Sequence, residues 1–164
     1  MTLDRASFVD RFGQVFEHSP WIAEQAFDRF ALAEPLTAAR VHEALCSVFR
    51  SAGRDQRMAV IQAHPDLAGK LARAGRLTAS STSEQRSAGL DLLTDDERDR
   101  FTQLNETYRN HFGFPFVIAV KGLDKCHILG AFERRLGNDR DKEIEEACRQ
   151  IERIVYLRLK DLLP

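Results

Sequence analysis

Apolar residues recur every three or four positions along most of this chain, the period of helices that bury one face. Within residues 3–16, Phe8, Phe12 and Val15 or Phe16 fall on one side of a first helix. Ser19 followed by Pro20 reads as an N-cap with proline at the first helical position, which predicts a second helix over 20–30, anchored by Trp21 and Phe27. Thr37 caps a third helix to about Ala52, with a stripe of Val41, Leu45, Val48 and Phe49 and with Gly53 as its stop. A fourth, over 56–63, has to end at His64, because Pro65 disfavours the α conformation in the residue before it.

Residues 65–80 are small, polar and glycine-containing, and read as a short helical turn followed by loop. Ser81 starts a helix that includes Ala88 and Leu90, and Thr94 with Glu97 forms a capping box opening a long helix through Tyr108. After Gly113 the pattern breaks: residues 114–120 are a short apolar run containing Pro115, too isolated to define a sheet, and read as a buried connector. Helices over 124–136, stopped by Gly137, and over 141–163 complete the chain. The pattern predicts an all-α fold: a single-domain bundle over 1–164 of about eight helices with a short extended apolar connector.

Composition narrows the function more than the fold. A chain of 164 residues fits one domain and can bury a sizeable core. With 24 Lys and Arg against 25 Asp and Glu, the net charge of -1 predicts neither nucleic acid nor an anionic membrane as partner, which leaves a small molecule. Cys46, Cys126 and Cys148 lie far apart in helical patterns and read as reduced core residues, not as a disulfide framework or a zinc site. Residues 1–8 carry charges and no apolar h-region, no apolar run approaches the roughly 18 residues of a membrane span, and residues 160–164 lack a Ser-Lys-Leu ending. A cytoplasmic protein is expected.

Candidate chemistry centres on His64. At the end of a helix its imidazole sits beside unpaired carbonyls and the negative end of the dipole, a place that suits a proton-transfer group and equally suits a plain helix cap. Ser81 and Glu84 are three apart, the spacing of a capping box, yet a helix N-terminus also offers amide donors to an anionic ligand. Gln85 adds an amide that donates and accepts at once, as recognition of a urea-like ligand requires, although such a residue also fits a surface. Arg158 falls in an apolar stripe with Ile144, Cys148, Ile151, Val155 and Leu162, so its guanidinium points coreward and needs a partner unless it snorkels out. His18, His42, His111 and His127 lack the paired spacing of a helical zinc site, and no phosphate loop, nucleophile elbow or dinucleotide fingerprint is present. The residues alone therefore point to an acid/base site with no cofactor and no metal.

Five segments carry a more specific signal: FEHSPWIAE at 16–24, AHPDLAG at 63–69, SSTSEQRSAGL at 80–90, LNETYRNHFGFPFVIAVKG at 104–122 and IVYLRLKDLL at 154–163. In that order and spacing they resemble the OHCU decarboxylases, enzymes of urate degradation acting on 2-oxo-4-hydroxy-4-carboxy-5-ureidoimidazoline. The resemblance spans nearly the whole chain. It implies an all-helical, usually dimeric enzyme that converts OHCU to (S)-allantoin and carbon dioxide without metal or organic cofactor. It further implies that His64 and Glu84 are the acid/base pair and that Arg158 binds substrate. Pro65, Ser81 and Gln85 match pocket contacts, and Ile118, with the backbone of the run before it, is expected near the ligand. Hydrolysis of a related ureido compound is a second enzymatic reading. A helical binding module, in which His64 caps, Ser81 and Glu84 form a capping box and Arg158 snorkels, is a third.

Overall fold

A computed structural model describes residues 3–164, and among these it forms nine α-helices and no strand. The helices are α1 (Arg5–Phe12), α2 (Trp21–Arg29), α3 (Ala38–Ser51), α4 (Arg54–Gln62), α5 (Lys70–Arg73), α6 (Ala79–Ser87), α7 (Asp95–Phe112), α8 (Lys125–Leu136) and α9 (Arg140–Leu162). The fold is all-α. The chain divides into two compact units, one of the described residues up to Ala63 together with Ile151–Pro164, the other of His64–Gln150. Helix α9 contributes its C-terminal half to the first and its N-terminal half to the second.

In the first unit, α1 packs on α2 and α2 on α3. The ring of Phe8 lies 4.9 Å from that of Phe12 and 5.6 Å from that of Phe27, and Phe16 lies 5.2 Å from Phe49. Thr37 caps α3 by accepting from the Arg40 N–H, and Val41, Leu45, Val48 and Phe49 are all buried, as the spacing predicts. Two expectations fail here. Helix α1 stops at Phe12, where the Gly13 N–H closes on the Val9 carbonyl at 2.7 Å and tighter turns follow. Val15 and Phe16 are nonetheless buried, so their apolar character reported burial and not helix. Ser19 is not a cap: its hydroxyl donates to the Glu17 carbonyl at 3.2 Å, and α2 begins without a side-chain cap. Ile22, Ala23 and Ala26 are the buried residues of α2, with Trp21 and Phe27 only half-buried.

In the second unit, α7 packs on α8 around an aromatic cluster. Tyr108 sits 4.6 Å from Phe112, 5.9 Å from Phe114 and 5.2 Å from Phe116, and Phe116 stacks on Phe132 at 3.7 Å. Thr94 and Glu97 form the predicted capping box, with Glu97 accepting from the Thr94 N–H at 3.0 Å and Thr94 from the Glu97 N–H at 3.2 Å. Helix α7 then runs past Tyr108 to Phe112 and ends at Gly113, whose φ of 84° is the left-handed conformation that glycine adopts without strain. Residues 114–120 are a non-helical connector in which every residue except Ile118 is buried. Of the cysteines only Cys46 is buried; Cys148 is half-buried and Cys126 exposed, because α8 turns that side away from its packed residues Ile128, Ala131 and Phe132.

Candidate active site

His64 directly follows Ala63, the C-cap of α4, and is only 6% exposed. The turn after it is bound to α6 and α7 through its main chain. Gln85 accepts from the Ala68 N–H at 2.9 Å and donates to the Asp66 carbonyl at 3.3 Å, while Asn105 donates to the Leu67 carbonyl at 2.9 Å. Arg109 reaches the Asp66 carboxylate at 2.9 Å, a part-exposed pair that contributes little by itself. Ala68 takes a φ of 51°, and a Cβ on Gly69 would lie 2.8 Å from the Asp66 Cβ, so only glycine allows the chain to fold this tightly. A buried loop cannot leave its N–H and C=O groups bare, and these side chains satisfy them where no helix or strand does.

Helix α6 supplies the second group of residues. Thr78, not Ser81, is its cap, accepting from the Ser81 N–H at 3.2 Å. Ser81 therefore stands third in a helix that already has its cap, and the capping-box reading of Ser81 and Glu84 does not apply. The helix ends at Ser87, so Ala88 and Leu90 lie beyond it, where the Leu90 N–H turns back to the Gln85 carbonyl at 3.0 Å. Residues three and four apart share a helix face, which places Ser81, Glu84 and Gln85 together. Ser81 and Gln85 are buried and Glu84 is half-buried. Both α6 and the loop after His64 belong to the second unit, joined through Gln85. Pro65 is half-buried in that loop, and Ile118 lies in the connector of the same unit.

Arg158 belongs to the first unit and is 6% exposed, which rules out snorkelling. It donates to the Val15 carbonyl at 3.3 Å and lies 3.9 Å from the carboxylate of Glu17, itself fully buried. The α9 stripe around it differs from the predicted one. Its buried residues are Glu143, Ala147, Ile151, Ile154, Val155 and Leu159, whereas Leu162 is exposed and Ile144 and Cys148 are half-buried. The true period shifts the stripe by one position at either end.

Sequence reasoning missed a buried polar cluster in the second unit. Glu143, with no exposure at all, receives Arg135 Nε at 3.1 and 3.0 Å, Asn138 Nδ2 at 2.9 Å and the hydroxyl of Tyr108. Burial and the Glu143 carboxylate push the Tyr108 hydroxyl up in pKa, so it stays a proton donor. Arg135 also donates to the Val117 carbonyl at 2.7 Å. A glutamate in the first turn of a helix reads as a solvated partner of the dipole, which hid Glu143; its position four residues before Ala147 in the buried stripe was the available signal.

The family model of the OHCU decarboxylases matches residues 1–160. The 2-oxo-4-hydroxy-4-carboxy-5-ureidoimidazoline decarboxylase of Haloferax volcanii is 38% identical over 160 residues, covering 97% of this chain and 90% of that one. The enzyme of that name from Mus musculus is 37% identical over 163 residues, covering 99% and 89%. Among solved structures, an (S)-allantoin synthase superposes with a TM-score of 0.78 at 28% identity, covering 99% of this chain and 51% of its own.

Proposed function

The chain belongs to the OHCU decarboxylase family, and from that membership we infer how it converts 2-oxo-4-hydroxy-4-carboxy-5-ureidoimidazoline to allantoin and carbon dioxide in urate degradation. It is a carboxy-lyase. We propose that His64 and Glu84 are its acid/base residues, that Pro65, Ser81, Gln85 and Ile118 contact substrate together with Glu84, and that Arg158 binds a substrate oxygen. Residues 1–164 act as one functional domain in this reading.

The substrate's own chemistry limits what the protein has to do. The carbon that bears the carboxylate and hydroxyl adjoins a ring C=N bond. When the C–CO2 bond breaks, its electron pair forms a C=C bond to the adjoining carbon while the C=N pair moves onto the ring nitrogen, which takes a proton. The enol so formed then loses its hydroxyl proton, becoming the ring carbonyl, as the adjoining carbon is protonated to give allantoin. The substrate is its own electron sink, so the proposed reaction needs no cofactor. What remains for the protein is to orient the carboxylate out of the ring plane, meet the developing charge and protonate one face. His64 is the proton-transfer group at the substrate hydroxyl or the nascent enol, and Glu84 orients it or the substrate. Gln85 uses its oxygen and one N–H on the loop and retains a second N–H for a ureido or ring carbonyl. Arg158 takes a carbonyl oxygen and not the departing carboxylate, since tight ground-state binding of a group that leaves as neutral CO2 would slow the reaction. One-face protonation gives the (S) product.

The observation that most supports this reading is the loop after His64: a buried histidine followed by residues whose main chain is held from α6 and α7, the first of which also bears Ser81, Glu84 and Gln85. A helix cap requires no such support. The test is His64→Asn, which is expected to lose enzymatic carbon dioxide release while keeping its far-UV circular dichroism; near wild-type turnover would overturn the assignment. Decarboxylation releases neither ammonia nor urea, which separates it from hydrolysis of a ureido compound.

Among the described residues no helix is long and apolar enough to cross a membrane. We further propose a cytoplasmic homodimer, on the pattern the family resemblance implies. Sedimentation equilibrium is expected to give twice the chain mass of 18.7 kDa, and a monomer would refute it.

A further inference from the structure

The connector of residues 114–120 has no strand beside it among the described residues, so its buried N–H and C=O groups have no ladder to satisfy them. Two side chains do this work on either side of Ile118. The Val117 carbonyl accepts from Arg135 Nη1 at 2.7 Å, and the Ala119 N–H donates to Gln150 Oε1 at 3.0 Å. Ile118 itself is the one residue of the connector that is not buried. Each anchor is fixed in turn. Arg135 is gripped by Glu143, with Nη2 2.9 Å from its carboxylate, and its guanidinium lies 4.4 Å over the ring of Phe116. Gln150 donates its remaining group to Glu146 at 2.9 Å.

Burying an ion pair such as Arg135–Glu143 is an expensive way to satisfy one carbonyl, and apolar packing of similar volume often serves stability as well or better. Its distinctive property is direction: a planar fork held at both ends admits one orientation of the carbonyl it meets. In an extended segment successive side chains point to opposite sides, so pinning the peptide groups on both sides of a residue fixes where its side chain points.

We propose that Arg135 and Gln150 are positioning residues that act through Ile118, holding its side chain as an apolar wall against the substrate's imidazoline ring. This rests on the reading of Ile118 as a substrate contact. Neither residue touches the reacting atoms, so the bracket governs binding more than the chemical step.

The test uses Gln150, because removing Arg135 would strand Glu143 and risk unfolding. Gln150→Met keeps the length of the side chain and removes the acceptor. It is expected to raise KM for OHCU about tenfold, the worth of roughly one buried hydrogen bond, with kcat within about twofold. Ile118→Ala is expected to raise KM comparably, and the double variant no further, since both changes remove one contact. KM penalties that multiply in the double variant would overturn the bracket, as would a Gln150→Met protein of lowered Tm and unaltered KM. Failure of the underlying reading looks different. An unmutated protein that does not accelerate OHCU decay removes the substrate from the proposal altogether, whereas an active one with KM unchanged in Ile118→Ala rejects the wall alone.

Discussion

The Leu67 carbonyl and the Ala68 N–H, just beyond His64, are each met by a side chain from another helix, so the turn that carries the imidazole cannot drift without breaking a buried hydrogen bond. Asn105 is the more telling of the two partners, because among the described residues its side chain bonds to the Leu67 carbonyl alone and its buried Oδ1 meets no donor. Asn105→Leu is expected to strand that carbonyl and lower stability by about 1–3 kcal/mol in urea titration, with a larger fall in kcat than rise in KM. Arg158→Lys is expected to lower kcat and kcat/KM together by about a hundredfold, since an ammonium cannot reproduce the guanidinium fork. A loss confined to KM would count against charge stabilisation in the transition state. At this scale the chain was partly legible. His64 was marked by the proline after it and Arg158 by its place among apolar neighbours. Asn105 carried the same kind of mark, a polar residue in the buried row of Phe101, Leu104, Tyr108 and Phe112, but a carboxamide costs less to bury than a guanidinium and draws less notice.

Helix ends decide where the elements of this fold begin, and the ends set by local chemistry were the readable ones. Thr37 and Thr94 cap and Gly137 stops a helix as the sequence predicts, while Asp124, which caps α8, and Gly113, which ends α7, take these roles only in the folded structure. Ser19 and Ser81 have the right side chain in the wrong place: each competes with a neighbouring backbone or cap that wins once the chain is folded. The capping box of α7 has a pH signature. Lys125 and the Thr94 N–H hold the Glu97 carboxylate down to about 2 from an ordinary 4.5. A depressed carboxylate contributes stability that is complete above its unfolded value and is lost as pH falls through the folded one. The wild-type Tm is therefore expected to decline from about pH 4.5 toward pH 2 more steeply than that of Glu97→Gln. Parallel declines would show that the charge of Glu97, held first by Lys125 and then by the Thr94 N–H, does not contribute. Thr94→Ala is expected to cost about 1 kcal/mol at neutral pH in the same measurement.

Across the whole molecule, helical periodicity predicted the all-α class correctly because a repeat of apolar residues is a property of every turn. It could not show Tyr108, Arg135 and Glu143 converging, since they come from α7, α8 and α9 and no local pattern links them. That cluster makes the second unit vulnerable at one point. Glu143→Ala leaves Arg135 buried without its carboxylate, and a loss of about 3–5 kcal/mol is expected in denaturant titration. A change below about 1 kcal/mol would mean that the pair is compensated by other contacts. OHCU decays without any enzyme, so rate alone is an incomplete criterion of catalysis. The most direct measurement is to generate OHCU from urate in the presence of this protein and follow optical activity as allantoin forms. Faster decay with an optically active (S) product is the predicted result; racemic allantoin appearing at the uncatalysed rate would contradict it.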